Sequence, residues 1–114
     1  MDVRVVQDLE RVVQASGEID LGNVDAFRTA IETASRESPR GFVIDLSGVQ
    51  YMDSAGVQAV LSAYRLVTDA GGRLALVIAH PNVRVIFEVI GADRLPGLLI
   101  FDRLAPAVDA IHNA

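Results

Sequence analysis

The fold is indicated most directly by Gly41-Phe42-Val43-Ile44-Asp45, where three consecutive apolar residues stand between a glycine and an aspartate. A short run of this kind is typical of a strand that is buried on both faces, as in the interior of a parallel sheet. Leu74 to Ile78 and Leu98 to Phe101 repeat the pattern further along the chain. We therefore expect a second buried strand at Leu74 to Ile78 and a last strand at Leu98 to Phe101, with enough chain between the strands for a helix.

Apolar residues at three- and four-residue steps predict four helices around these strands. The helical sets are Val24, Phe27, Ile31, Ala34; Val57, Val60, Leu61, Tyr64, Val67; Val83, Ile86, Phe87, Ile90; and Leu104, Val108, Ile111. Pro39 follows the first set, while Gly71-Gly72 and Gly91 follow the second and third. Proline and glycine at these places are typical of helix ends.

The first residues predict a hairpin at the edge of the sheet. Apolar and polar residues alternate over Val3 to Gln7 and again over Arg11 to Gly17, with Asp8-Leu9-Glu10 between the two segments. Strands that alternate with helices form parallel neighbours joined by crossovers. The whole sequence, 1–114, therefore predicts a single compact α/β domain with a mixed sheet of four to five strands and about four helices.

Composition excludes several classes of protein. The net charge of −5 argues against nucleic-acid binding, which requires clustered Lys and Arg. No cysteine is present, so disulfides, thiolate nucleophiles and cysteine zinc sites are excluded. His80 and His112 have no partner at metal-ligand spacing, and we expect neither a metal nor a cofactor. No apolar run approaches the roughly 20 residues of a membrane span, so a cytoplasmic protein is expected.

The most informative segment for function, Asp45 to Gly56, leads from a buried strand to the start of the second helix. Asp53 and Ser54 lie at the expected helix start, where either side chain would cap a free backbone amide, at about 1 kcal/mol. A functional interpretation begins from the same position. A hydroxyl on the first helical turn stays accessible to a kinase, and phosphorylation would add about −1.5 to −2 charges there.

Four motifs in order resemble one family. Tyr51-Met52-Asp53-Ser54-Ala55-Gly56 resembles the phosphorylation loop of bacterial anti-sigma factor antagonists, which are STAS-domain proteins. Gly17-Glu18-Ile19-Asp20 resembles the family's Gly-Glu-hydrophobic-Asp turn. Gly71-Gly72 resembles its paired glycines, and Pro81 to Gly91 its third helix. The resemblance extends from about Val12 onward, and it implies the STAS fold.

The resemblance also implies a mechanism and a site. In the family, the unphosphorylated domain binds an anti-sigma factor that is also an ATP-dependent serine kinase, and this releases a sigma factor for transcription, commonly in stress responses. The kinase then phosphorylates the serine that matches Ser54, and a metal-dependent serine phosphatase reverses the reaction. By the same resemblance, Asp20, Asp53, Ser54, Ala55 and Gly56 are expected to contact the partner. Ala55 stands where a second serine is common, which leaves Ser54 as the acceptor.

Two alternatives stay open at this point. Ser54 would be only a cap if the chain were a STAS scaffold, or an accessory subunit of a stress-signalling or membrane transport complex. Ser54 could also be an enzyme's nucleophile, but the nucleophile elbow requires glycine where Met52 stands. No Walker A motif is present. We therefore expect a non-enzymatic protein, with Tyr51 and Met52 as packing residues and Asp20 as either a turn residue or a contact.

Overall fold

A computed structural model describes residues 1–7 and 11–113. It contains a five-stranded sheet and four α-helices, which confirms the predicted α/β fold. In chain order the elements are β1 (Asp2–Gln7), β2 (Arg11–Ile19), α1 (Val24–Glu37), β3 (Gly41–Met52), α2 (Ser54–Asp69), β4 (Arg73–Val77), α3 (Pro81–Val89), β5 (Leu98–Phe101) and α4 (Leu104–His112). A single 3-10 turn, Ala92–Arg94, precedes β5. The expected connection Asp8-Leu9-Glu10 lies outside the described residues.

The sheet has the strand order β1-β2-β3-β4-β5. Strand β1 pairs antiparallel with β2, and all the later neighbours are parallel. The parallel strands follow one another in a single direction across the sheet. Because crossovers between parallel strands are right-handed, α1, α2 and α3 are expected on one face.

Two apolar clusters on opposite faces of the sheet agree with this arrangement. The larger cluster joins residues of α1, α2 and α3 to inward residues of the strands, among them Phe27, Val60, Phe87 and Ile44. The smaller cluster joins α4 to the other face, where Ala107 and Ile111 pack with Val43, Ala75 and Val77. Neighbouring strand residues such as Val43 and Ile44 belong to different clusters, as the alternation of a strand requires.

Strand β3 is much longer than the sequence predicted. We expected a strand at Phe42 to Ile44 followed by a loop, but the strand continues to Met52. Strand β4 pairs with it only as far as Asp45, whereas β2 stays paired up to Ile19 opposite Met52. The last part of β3 is therefore paired with a neighbouring strand on one side only. Because several of its residues are exposed, it contains no apolar run that would predict a strand. This extension carries the chain directly to the start of α2.

Candidate functional site

Asp53 organises the start of α2. Its carboxylate Oδ1 accepts a hydrogen bond from the backbone amide of Ala55 at 2.9 Å, which makes it the N-cap of the helix. Its Oδ2 accepts a second hydrogen bond, from the backbone amide of Leu21 at 3.1 Å. The backbone amide of Asp53 itself donates to the carbonyl of Ile19 at 3.1 Å. One residue therefore fixes both the helix start and the loop that follows β2.

The loop after β2 is closed by its own side chains. The Asp20 carboxylate accepts from the amide of Gly22 at 2.9 Å, so Asp20 adopts the turn role that was one of the two expected. The Asn23 side chain accepts from the amide of Asp20 at 3.0 Å and donates to the carbonyl of Glu18 at 2.9 Å. These bonds give Leu21 to Asn23 a defined conformation. Because Leu21 is bonded to Asp53, Asp20 lies beside the start of α2.

Ser54 is the first residue of α2 and is exposed. Among the residues that the structure describes, its hydroxyl has no hydrogen-bond partner. The backbone on either side is held by the two bonds to the Asp53 carboxylate and by the bond from the Val57 amide to the Asp53 carbonyl at 3.3 Å. An accessible hydroxyl therefore stands on a fixed backbone.

The two small residues after Ser54 differ from this pattern. Ala55 is partly buried and packs against the main core. Gly56 is buried, and a Cβ at this position would lie 2.7 Å from Cγ of Met52 and 3.0 Å from Cγ2 of Ile19. Gly56 therefore has a packing role, and the expectation that it also contacts a partner stays a prediction. Its role is to let α2 start close to the ends of β2 and β3.

The sequence did not indicate that the side chains of Leu21 and Tyr51 are exposed. Leu21 is 77% exposed although it is a large apolar residue, and its bond to Asp53 places it in the same patch as Asp20 and Ser54. Tyr51 is half exposed rather than packed, whereas Met52 is buried as expected. Successive strand residues point to opposite faces, so Tyr51 lies on the face of the sheet away from α2. We define the loop patch as Asp20, Leu21, Asp53 and Ser54.

The remaining candidates have structural explanations or lie apart. His80, expected as a loop or surface residue, is the N-cap of α3, and its Nδ1 accepts from the amide of Asn82 at 3.3 Å. His112 is exposed near the end of α4. Within residues 1–7 and 11–113, no group of three or more acidic or histidine side chains could hold a metal ion. None of the helices in this described part is long and apolar enough to cross a membrane.

The strand order, the three crossover helices on one face and the exposed serine that follows the Asp53 cap of α2 define a small α/β domain of the STAS type. The sequence profile of the STAS domain family matches residues 1–108. The chain therefore belongs to the STAS domain family, among its anti-sigma factor antagonists.

Three relatives illustrate the relationship. The chain is 31% identical over 81 residues to the anti-sigma F factor antagonist of Paenibacillus polymyxa, covering 70% of this chain and 69% of that protein. It is 29% identical to an anti-sigma factor antagonist of Mycobacterium paratuberculosis, with a TM-score of 0.84 over 96% of this chain and 92% of the other. The Bacillus cell fate determinant SpoIIAA in its phosphorylated form is 25% identical, with a TM-score of 0.73 over 96% and 99% of the two chains.

Family membership decides whether this protein is an enzyme. Anti-sigma factor antagonists are non-enzymatic STAS proteins, in agreement with the expectation from the sequence. By their names, the Paenibacillus and Mycobacterium relatives antagonise an anti-sigma factor. Asp20 and Ser54 are brought together in the loop patch by the bond between the Asp53 carboxylate and the Leu21 amide, which the sequence did not reveal.

Proposed function

We propose that this protein is an anti-sigma factor antagonist that is switched by phosphorylation of Ser54. Its unphosphorylated form binds an anti-sigma factor of the serine kinase type, and a sigma factor is released. Phosphorylation ends the interaction, and a serine phosphatase restores it. The observation that carries this proposal is the exposed Ser54 hydroxyl on the fixed backbone at the start of α2.

Accessibility supports Ser54 as the acceptor. A kinase must reach the hydroxyl of a folded substrate, and this side chain is exposed without a competing hydrogen bond in the described part of the chain. The chain would not have to unfold locally, because Ser54 already lies on the surface. Modification would also leave the Asp53 cap in place, since that cap uses only carboxylate and backbone atoms.

Electrostatics explains how a phosphate would act on binding more than on folding. The phosphate would add about −1.5 to −2 charges beside the carboxylates of Asp53 and Asp20. The positive end of the α2 dipole partly offsets this repulsion, by about 0.3–1 kcal/mol. A partner packed against the loop patch would have to bury the unmatched charge, which costs at least several kcal/mol. The fold therefore tolerates the phosphate, and the interface does not.

The chemistry of the patch also indicates the kind of partner surface. Leu21 offers an apolar side chain that is 77% exposed, with Asp20 and Asp53 next to it. An apolar pocket rimmed by Lys or Arg would complement this arrangement. The net charge of −5 favours encounter with such a basic surface. The phosphorylated Bacillus relative, 25% identical over 96% of this chain, supports a phosphorylated form in this family.

Phosphate transfer tests the proposal directly. The partner is first captured from the protein's own cells with the Ser54→Ala variant, which should bind without being released. The purified protein is then incubated with that partner, ATP and Mg²⁺, and its intact mass is measured. We expect one added phosphate on the wild type and on the Ser62→Ala control, and none on Ser54→Ala. A captured partner that never phosphorylates Ser54 would indicate a STAS scaffold without this switch.

A further inference from the structure

Strand β1 is an open edge of the sheet. In the described part of the chain it pairs only with β2, so one row of its backbone amides and carbonyls faces outward. Val5 is 49% exposed and Met1 39%, on the same side of the strand as the partly buried Val3. Asp2 and Arg4 alternate with them and are also exposed. Exposed apolar edges of this kind pair readily with another strand.

We propose that a second copy of this chain occupies this edge, with the two β1 strands antiparallel and Val3 opposite Val3 on the twofold axis. Two copies would then share one continuous ten-stranded sheet. The proposal concerns a surface apart from the loop patch and does not depend on the function proposed for Ser54.

The sequence of β1 selects this register. In an antiparallel pair, directly opposite residues either both direct their backbone amides toward the partner strand or both direct them away. Because these directions alternate along β1, the numbers of two opposite residues must be both odd or both even. With Val3 on the axis, Asp2 faces Arg4 of the other copy, and Met1 faces Val5. The charged side chains are then matched on one face and the apolar ones on the other. With Arg4 on the axis, by contrast, two guanidinium groups would face each other, which is unfavourable.

The helices leave room for this pairing. Helix α1 packs against α2 and rests on the sheet over β2, with further contacts to β1 and β3. The two β2 strands of a dimer would be three strand spacings apart, about 14 Å. Packed helices need only about 8–10 Å between their axes. The two α1 helices would therefore flank a groove over β1 in which Met1 and Val5 lie.

The other sheet edge is a weaker candidate for the same role. Strand β5 has four residues, and Leu99, Ile100 and Phe101 are all partly buried against neighbouring elements. It offers no charged residue within the strand that could select a register. Pairing through β1 also leaves Ser54 free, since Ser54 follows β3, two strands away.

Cysteine cross-linking tests the register, because the chain has no cysteine of its own. Opposite residues in an antiparallel pair have Cα atoms about 4.5–5.5 Å apart, within the range that a disulfide spans. Under mild oxidation, we expect Val3→Cys to form a covalent dimer at least roughly tenfold faster than Val5→Cys. In this register the two copies of residue 5 lie about 13 Å apart along the ladder. Random collision would give the reverse order, since Val5 is the more exposed.

Charge reversal provides an independent test by sedimentation over a concentration series. Asp2→Arg and Arg4→Asp should each weaken the dimer about tenfold, because each creates two like-charged pairs. The double variant restores both pairs and should recover wild-type dimerisation. Arg65→Asp, an exposed charge reversal on α2, is the control, and circular dichroism melts check each fold.

Several results would overturn the proposal. A wild-type chain that stays monomeric at several hundred micromolar has no such dimer. Faster cross-linking of Val5→Cys, or a double variant as weak as the single ones, excludes this register. A dimer unaffected by every β1 change would use another surface, such as β5.

Discussion

The Asp53 carboxylate accepts a hydrogen bond from the Leu21 amide at 3.1 Å, which joins two loops separated by 32 positions in the chain. The other oxygen of the same carboxylate caps α2 through the Ala55 amide. Leu21 and Ser54, both exposed, are consequently held in a fixed relation on the surface. The geometry of the proposed partner surface therefore depends on a residue that is itself only partly exposed.

Both oxygens of the Asp53 carboxylate should contribute to the stability of the fold. Asp53→Ala loses the cap and the bond to Leu21, and we expect it to lower the free energy of unfolding by about 2 kcal/mol. Asp53→Asn keeps one acceptor oxygen and should lose about 1 kcal/mol. Urea unfolding measures both.

Asp109→Ala, an exposed change on α4, is the matched control and should stay within about 0.5 kcal/mol of the wild type. Equal stabilities for Asp53→Ala and Asp53→Asn would show that the acceptor oxygen which asparagine keeps contributes nothing to the fold.

Leu21 should matter for binding and not for folding. Its side chain is 77% exposed, so Leu21→Ala removes almost no packing and should leave stability within about 0.5 kcal/mol. If the partner covers this side chain, its affinity for the protein should fall about tenfold or more, because a buried leucine contributes about 1.5–3 kcal/mol. Titration calorimetry with the captured partner measures the change.

Val89→Ala is the control for Leu21→Ala. Val89 is 78% exposed, and it lies at the carboxyl end of α3, away from the loop patch. Equal losses of affinity in the two variants would remove Leu21 from the proposed contact surface.

Much of the fold could be predicted because three of its strands contain fully apolar runs. Phe42 to Ile44 and Leu74 to Ile78 are fully buried, and Leu98 to Phe101, at the edge of the sheet, is buried or partly buried. Such runs are visible without any tertiary information. The extension of β3 to Met52 was missed because Ser47, Gly48, Gln50 and Tyr51 in it are exposed. Its strand conformation comes from pairing with β2, a long-range contact.

Only the contacts between residues close in the sequence could be predicted for the site. The cap by Asp53 follows from the residues around one helix start, and the structure has it. The bond between Asp53 and Leu21 required the ends of β2 and β3 to lie side by side. An exposed leucine also contradicts the ordinary expectation that large apolar residues are buried, so no rule based on composition indicated Leu21.

Replacing each of the two glycines after α2 by alanine should destabilise the fold by different amounts. Gly71 has φ of +85° with open space where a Cβ would stand, so Gly71→Ala should cost about 1–2 kcal/mol from backbone strain alone. At Gly72 a Cβ would contact the carbonyl of Pro39 and lie 2.7 Å from the carbonyl oxygen of Arg40. These are backbone atoms of the connection between α1 and β3, which must shift.

We therefore expect Gly72→Ala to cost about 3 kcal/mol or more, above the usual range of a single substitution. Thermal and urea unfolding of the two variants compare the costs directly. A Gly72→Ala variant as stable as Gly71→Ala would show that the close approach of the two connections is not required.

A negative charge at position 54 should weaken partner binding and leave the stability of the fold nearly unchanged. Ser54→Asp places a carboxylate on an exposed first-turn residue, where the α2 dipole offsets repulsion from Asp53, so stability should change by less than about 1 kcal/mol. Affinity for the captured partner should fall about thirtyfold or more, equivalent to about 2 kcal/mol at a buried contact. Thr33→Asp adds the same charge to an exposed position in the second half of α1 and should bind normally. Wild-type affinity in Ser54→Asp, or its unfolding, would contradict a switch that acts at the interface.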